Sequence, residues 1–141
     1  MSAMSDRWLC QLATLGPIGY FRLAPGTLGS FFALISGYAI ASYSFGAFVA
    51  AVLFISILGI FAASSYQRSS GKKDAPEVII DEVAGQWIPL VIIPLESSWY
   101  IAAFVLFRFF DISKIGPVSS AEQLPGGVGV MADDLIAGIL T

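Results

Sequence analysis

Two pairs of adjacent acids stand in apolar stretches of the chain. Asp81 and Glu82 lie in "VIIDEVAGQW", and Asp133 and Asp134 lie in "GGVGVMADDLIAG". Ionisable groups beside or inside hydrocarbon are costly, so they are usually paired or functional. The 141 residues contain no histidine, and a ligand set made only of hard carboxylate oxygens suits Mg²⁺. The two pairs are therefore candidate metal ligands and candidate catalytic acids or bases.

The stretch "FRFFDISK" adds a third set of charges. Arg108, Asp111 and Lys114 are spaced every three residues, which predicts one polar stripe along a helix. One interpretation is structural, with Asp111 held between two cations to stabilise the fold. The other is functional: Asp111 binds a cation as a catalytic residue beside Lys114, and Arg108 and Lys114 face phosphate oxygens.

Two glycine-containing stretches are candidate phosphate-binding sites. In "RLAPGTLGS", Arg22 precedes a turn, and Thr27 and Ser30 can cap the first apolar helix, whose free N–H groups attract anions. An ordinary helix cap, with Arg22 reaching lipid head groups, is the alternative. Gly126 and Gly127 allow close backbone approach to a phosphate.

Flanking residues refine the predicted positions of the acids. A last helix that begins near residue 132 would place Asp133 and Asp134 in its first turn. Asp74 precedes Asp81 by seven residues, and Pro76 indicates that Asp74 lies just before the helix. We assign Asp74 a supporting role.

Composition places these residues in a membrane protein. The chain is 57% hydrophobic and 12% charged, and its mean hydropathy is +0.81. Its net charge of −3 argues against a nucleic-acid partner. The absence of histidine excludes a Ser-His-Asp triad and a phosphohistidine intermediate. Residues 1–141 are enough for a single domain.

The apolar segments predict an all-α integral membrane bundle of about four apolar helices in two hairpins, plus a short C-terminal helix. No charge occurs between Leu23 and Gln67, which fits helices over 27–43 and 47–66 with a turn between them. Two more apolar segments follow a polar linker and turn near Pro94 and Glu96. The last segment, from about residue 132, is too short to cross a bilayer.

Basic residues predict the orientation of the bundle. Two hairpins place the N-terminus, the linker with Arg68 and Lys72, and Lys114 on one face. Basic loops favour the cytoplasm, and the acid pairs are expected on that face too. The active site is therefore predicted at the cytoplasmic face.

Four segments, "APGTLGS", "DAPEVIIDEVAGQWI", "FRFFDISKIGP" and "GGVGVMADDLIAG", together resemble the phosphatidylglycerophosphatase A family of bacterial membrane lipid phosphatases. The resemblance covers about residues 16–138. It implies a Mg²⁺-dependent phosphomonoesterase of the bacterial inner membrane that converts phosphatidylglycerophosphate to phosphatidylglycerol. Its acidic positions correspond to five residues here: Asp81, Glu82, Asp111, Asp133 and Asp134. Arg22, Thr27, Asp74 and Lys114 also stand at motif positions.

The resemblance leaves the reaction details and the oligomeric state open. A water activated by Glu82 or Asp134 can attack the phosphate, or an aspartate can attack it directly, with one metal or two. The rival hypothesis is a non-catalytic cation-transport subunit or scaffold with structural ion pairs. A transporter is expected to carry acids near the bilayer midplane, whereas most acids here lie at predicted helix ends.

Overall fold

The computed structural model describes residues 3–21, 23–72 and 75–141, so Arg22 and Asp74 lie outside the described residues. Every regular element in these ranges is helical. A short 3₁₀ helix, Ile18–Tyr20, follows the first α-helix. In chain order the α-helices are α1 Ala3–Thr14, α2 Pro25–Tyr43, α3 Phe45–Ser70, α4 Ile80–Leu90, α5 Ser97–Ser113, α6 Pro117–Glu122 and α7 Gly126–Leu140. The all-α prediction is confirmed.

The predicted turn between the first two apolar helices is present as a single capping residue. Ser44 has an extended backbone, and its hydroxyl accepts the N–H of Ala47 at 3.2 Å. This side-chain cap satisfies one of the free donors at the start of α3. At its other end α3 continues to Ser70, four residues beyond the predicted end, and stops at Gly71 in the left-handed conformation.

Helices α4 and α7 form the centre of the fold and pack against each other at two glycines. A Cβ on Gly85 would lie 2.8 Å from the Asp134 carbonyl carbon, and one on Gly138 would lie 3.0 Å from that of Gly85. Nearly all of α4 is buried, and the Trp87 indole N–H donates to the Ala33 carbonyl of α2 at 2.9 Å. The short α4 is therefore fixed against both α7 and α2.

The beginning of the last helix was predicted wrongly. Helix α7 starts at Gly126 rather than near residue 132, so Asp133 and Asp134 lie in its middle and not in its first turn. Glycines are poor helix formers, but here tertiary packing overrides that preference. A Cβ on Gly127 would lie 2.8 Å from the Ser64 nitrogen, so glycine lets α7 lie directly on α3.

Three other local predictions need correction. Helix α2 begins at Pro25, and its N-cap residue Ala24 offers no side-chain hydrogen bond, so neither Thr27 nor Ser30 caps it. Helix α1 was missed because its mixed sequence lacks a long apolar run. Helix α6 was not predicted either, because it follows Gly116 and starts at a proline, although proline fits the first helical turn well.

Among the described residues, α3 is the one helix long and apolar enough to cross a membrane. The most apolar part of α3 has a mean hydropathy of 2.6, and only 22% of that stretch is buried in the fold. Large apolar side chains on it are exposed, among them Leu53, Phe54 and Ile57. Helix α3 therefore exposes a broad apolar face, while its other face packs in the core through residues such as Phe48 and Ala62.

The close packing of α4 on α7 predicts that Gly85→Ala destabilises the protein. The added methyl group would overlap the backbone of α7 at Asp134, and overpacking of this kind costs about 1–3 kcal/mol. Thermal unfolding in detergent measures the change.

Gly46→Ala is the matched control, because its nearest neighbour would be the Ser44 hydroxyl at 3.9 Å. In a helix this change is neutral or stabilises by up to about 1 kcal/mol. Equal effects at the two glycines would contradict the packing argument.

Candidate active site

The start of α4, the end of α5 and the middle of α7 enclose a cavity of about 210 Å³. The structure brings together all five predicted acidic ligands and Lys114 in its walls. The lining residues are Ala75, Pro76, Val78, Asp81, Glu82, Asp111, Ile112, Lys114, Asp133 and Asp134. Charged side chains from three helices thus meet in one small space.

Helix α4 contributes two of these acids from its first turn. Free backbone N–H groups and the helix dipole favour anions there, and the Asp81 carboxylate accepts the N–H of Glu82 at 3.0 Å. The start of the helix is fixed by the Ile79 N–H, which donates to the Ala13 carbonyl of α1 at 2.9 Å. The positions of Asp81 and Glu82 at the beginning of this helix agree with the prediction.

Helix α5 contributes an ion pair and a lysine that leaves the helix. The Arg108 guanidinium donates to the Asp111 carboxylate at 2.6 Å. The helix ends at Ser113, and Lys114 adopts the left-handed conformation with φ of 50°. The Lys114 ammonium donates to the Asp133 carboxylate at 2.8 Å. The predicted stripe is confirmed for Arg108 and Asp111, while Lys114 departs from it to contact α7.

Helix α7 brings Asp133 and Asp134 into the cavity, and Asp134 is the more deeply buried of the two. Asp134 is only 1% exposed, and its Oδ2 atom has no hydrogen-bond partner within the described ranges. The contact between α7 and Gly85 fixes the backbone at this residue. The structure therefore holds a carboxylate in the interior beside other carboxylates.

The acids form two groups that can each hold a metal ion. One group is Asp81, Asp133 and Asp134, and the other is Glu82, Asp111 and Asp134. Within each group one oxygen from every carboxylate lies within 4.8 Å of the others. Asp134 belongs to both groups, so two neighbouring cation positions would share it. Hard cations prefer oxygen ligands of this kind.

Burial is the main cause that raises the pKa of four of these acids. It raises the pKa values of Asp81 and Asp134 well above their usual range, and neighbouring carboxylates raise them further. It raises the pKa of Glu82 to about 7. The pKa of Asp133 is also raised by burial, although Lys114 opposes the shift. The folded cluster therefore favours the uptake of protons or cations.

The other predicted residues lie in the first two turns of α2 and at the start of α7. Gly26, beside Thr27 in the first turn of α2, faces the cluster: a Cβ there would lie 2.8 Å from Glu82 Oε1 and 3.3 Å from the Arg108 guanidinium. Ser30 is fully buried one turn further along α2. Gly126 and Gly127 lie about two turns before Asp133, and the Gly127 N–H donates to the Ser64 hydroxyl at 3.0 Å.

One buried polar residue near the cluster was not predicted. Gln86 is 0% exposed, and both polar atoms of its side chain lack a partner among the described residues. Its signal in the sequence was a polar residue four positions after Glu82 within an apolar helix, which places the two on one helix face.

Comparison with known proteins supplies a family for this arrangement. The family model described as Phosphatidylglycerophosphatase A matches residues 11–141. The chain belongs to the phosphatidylglycerophosphatase A family. Membership makes it an enzyme of the phosphatase class of hydrolases, and every residue of the acidic cavity lies inside the matched range.

Individual relatives agree with this assignment. A protein of Haemophilus influenzae named phosphatidylglycerophosphatase A is 36% identical over 86% of this chain and 76% of its own length. The Escherichia coli protein of the same name is 29% identical over 98% of this chain and 81% of its own length.

A third relative carries a different name. A Bacteroides thetaiotaomicron protein named "Putative phosphatidylinositol-3-phosphatase" is 41% identical over 86% of this chain and 80% of its own length. No solved structure matches the chain.

The two carboxylate groups predict that divalent cations stabilise the protein. A ligand present at a hundred times its dissociation constant adds about 2.7 kcal/mol to the free energy of unfolding. We expect Mg²⁺ to raise the melting temperature of the parent, and Asp134→Asn to remove most of this rise because both groups share that residue.

Glu96→Gln is the matched control, because Glu96 is exposed at the start of α5, at the other end from Asp111. It is expected to keep the full Mg²⁺ effect. A melting temperature of the parent that does not respond to Mg²⁺ or Mn²⁺ would contradict the cation sites.

Proposed function

We propose that this protein is a Mg²⁺-dependent phosphomonoesterase that removes the terminal phosphate of phosphatidylglycerophosphate and leaves phosphatidylglycerol. The observation that carries the proposal is the pair of buried carboxylate groups sharing Asp134, with the cations of Arg108 and Lys114 beside them. The family name supplies the substrate class.

The side chains of the cluster divide into metal-holding and phosphate-orienting groups. Asp81, Asp133 and Asp134 would hold one Mg²⁺, and Glu82 and Asp111 with Asp134 a second. When bound, Mg²⁺ would neutralise phosphate charge and make a coordinated water more acidic. Lys114 and Arg108 would orient the phosphate oxygens, and phosphoryl transfer depends mainly on such positioning and charge stabilisation.

Hydrolysis also needs a proton acceptor for the attacking water. Glu82 Oε2 and Asp134 Oδ2 are buried oxygens without a partner in the described part of the chain, so either suits this role. The water oxygen forms a bond to phosphorus, the bond to the glycerol oxygen breaks, and the leaving oxygen takes up a proton. Direct attack by an aspartate remains the alternative route.

The lipid substrate requires a membrane location, and we propose that α3 crosses the bilayer and that α2 and α5, which are shorter than α3, cross beside it. At 1.5 Å per residue α2 and α5 rise about 28 and 26 Å. Both expose large apolar side chains, including Phe31 and Ile35 on α2 and Ile101 and Val105 on α5. Helix α4, with eleven residues, is too short to cross alone.

The basic residues support a direction for the bundle in the membrane. Arg68, Lys72 and Lys114 lie near the same end of the helices as the acidic cavity. The preference of basic segments for the cytoplasm then favours an active site facing the cytoplasm of a bacterial inner membrane. Asp81 and Glu82 at the start of α4, with Asp111 in the last turn of α5, also favour head-group chemistry over the rival hypothesis of a cation-transport subunit.

A second candidate substrate comes from the Bacteroides thetaiotaomicron relative, whose name refers to phosphatidylinositol 3-phosphate. Both candidate lipids carry a phosphomonoester on a polyol head group. A direct comparison of the two substrates therefore belongs in the same assay.

The proposed function predicts Mg²⁺-dependent phosphate release from phosphatidylglycerophosphate by the purified protein in detergent. EDTA is expected to abolish release. Asp111→Asn and Asp133→Asn, which change one candidate ligand in each group, are expected to lower kcat by at least about a hundredfold, as the loss of transition-state charge stabilisation does elsewhere. Glu96→Gln is expected to keep the parent rate.

Three results would contradict the assignment. A folded parent that releases no phosphate would contradict the proposed activity. Faster release from phosphatidylinositol 3-phosphate would identify that lipid as the preferred substrate instead. Phosphate release that continues unchanged in EDTA would contradict the proposed requirement for a metal ion.

The proposed topology predicts opposite accessibility at the two ends of the bundle. In a Cys10→Ser background, a membrane-impermeant maleimide is expected to label Tyr43→Cys in spheroplasts, because Tyr43 is 89% exposed at the far end of α2. Ser70→Cys, exposed at the end of α3, is expected to react only after permeabilisation. The reverse pattern would place the active site on the outer face.

A further inference from the structure

Two fully buried polar side chains lie next to the acidic cavity without partners of their own. Gln86 and Ser30 are both 0% exposed. The amide oxygen and nitrogen of Gln86 and the hydroxyl of Ser30 have no hydrogen-bond partner in the described ranges. A buried polar group left unsatisfied destabilises the folded protein. Three such atoms near one site point to a partner that binds there.

The two residues lie one helical turn beyond the cluster. Gln86 follows Glu82 by four residues on α4, and Ser30 follows Gly26 by four on α2. Residues spaced by four share one face of a helix and are about 6 Å apart along its axis. Gly26 itself faces Glu82 and the Arg108 guanidinium. Gln86 and Ser30 therefore extend the faces that carry these groups.

The register of α2 against α4 places both residues at the same depth. A Cβ on Gly29 would lie 3.1 Å from Ile79 Cβ, near the start of α4. One turn further, the Trp87 indole donates to the Ala33 carbonyl, and Gly37 faces Leu90 in the last turn of α4. The helices thus run side by side in the same direction, away from the cluster and into the bundle.

The chemistry of the two side chains differs from that of the cluster. An amide and a hydroxyl both donate and accept hydrogen bonds and carry no charge. They match an alcohol, which also donates and accepts, better than a phosphate dianion, which the cations of Arg108 and Lys114 match. In a lipid phosphomonoester the alcohol part must lie between the scissile phosphate and the bilayer, which is the direction from Glu82 to Gln86.

We propose that Gln86 and Ser30 form a subsite that binds the hydroxyl of the head-group glycerol next to the scissile phosphate. This inference rests on the proposed function and adds to it the residues that recognise the leaving alcohol.

The test uses the whole chain with Mg²⁺ and two substitutions of similar shape, Gln86→Met and Ser30→Ala. Each is expected to lower kcat/KM for phosphatidylglycerophosphate about tenfold and to weaken the binding of dihexanoyl phosphatidylglycerol, measured calorimetrically, to the same degree. The inhibition constant of inorganic phosphate is expected to stay within about twofold, because phosphate lacks the alcohol. Stability is expected to be unchanged or higher, since an unsatisfied polar group is removed.

Ser65→Ala is the matched control for Ser30→Ala. Ser65 is also buried, at 1% exposure, but its hydroxyl donates to the Asp6 carboxylate at 3.1 Å. Its removal is expected to lower stability and to leave kcat/KM and phosphatidylglycerol binding unchanged. The two serines are thus predicted to show opposite patterns of stability and activity.

The outcomes separate this inference from the proposed function. A parent that releases no phosphate overturns the function, whereas the calorimetric arm needs no turnover and still tests the subsite. The subsite is overturned if Gln86→Met and Ser30→Ala bind phosphatidylglycerol as the parent does. It is also overturned if the parent binds dihexanoyl phosphatidylcholine equally well, or if phosphate inhibition weakens in parallel.

Discussion

The close burial of several carboxylates is the constraint on which the rest of this structure depends. Asp81, Asp133 and Asp134 place oxygens within 4.8 Å of one another in the interior, where both desolvation and mutual repulsion oppose ionisation. Lys114 compensates Asp133 directly, and Arg108 compensates Asp111. Asp134 Oδ2 has no protein partner in the described ranges, so the arrangement is favourable only with bound protons or cations.

The backbone contacts of α4 and α7 impose this arrangement on the acids. Gly85 lies against the backbone of Asp134, and Gly138 lies against Gly85, so neither helix can carry a side chain at these points. The contact carries the first turn of α4 and the middle of α7 to the same place. The packing of these glycines therefore determines the distances between the charged groups. A loss of this packing would first change the distances between the carboxylates of the cluster.

Patterns of charge and hydropathy in the sequence predicted many of the helices and the meeting of the acids. Local backbone geometry accounts for the features that these patterns missed. The turn at Ser44 and the meeting of the five acids follow from apolar run lengths and charge spacing. The start of α7 does not, because its glycines are helical only through their contact with α3. The partner of Lys114 also depends on one left-handed residue, which spacing alone does not reveal.

The side chains along α2 and α4 change in polarity from the start of the two helices towards the interior of the bundle. Charged groups lie at the start of the two helices, the neutral polar pair Ser30 and Gln86 lies one turn further, and Ala33 and Trp87 follow them. In phosphatidylglycerophosphate the terminal phosphate is likewise followed by a neutral alcohol, the head-group glycerol, before the phosphodiester and the acyl chains. If the bilayer begins at the third of these levels, the scissile phosphate can reach the cluster without leaving the membrane surface. Catalysis and membrane insertion would then depend on the same parallel packing of two helices.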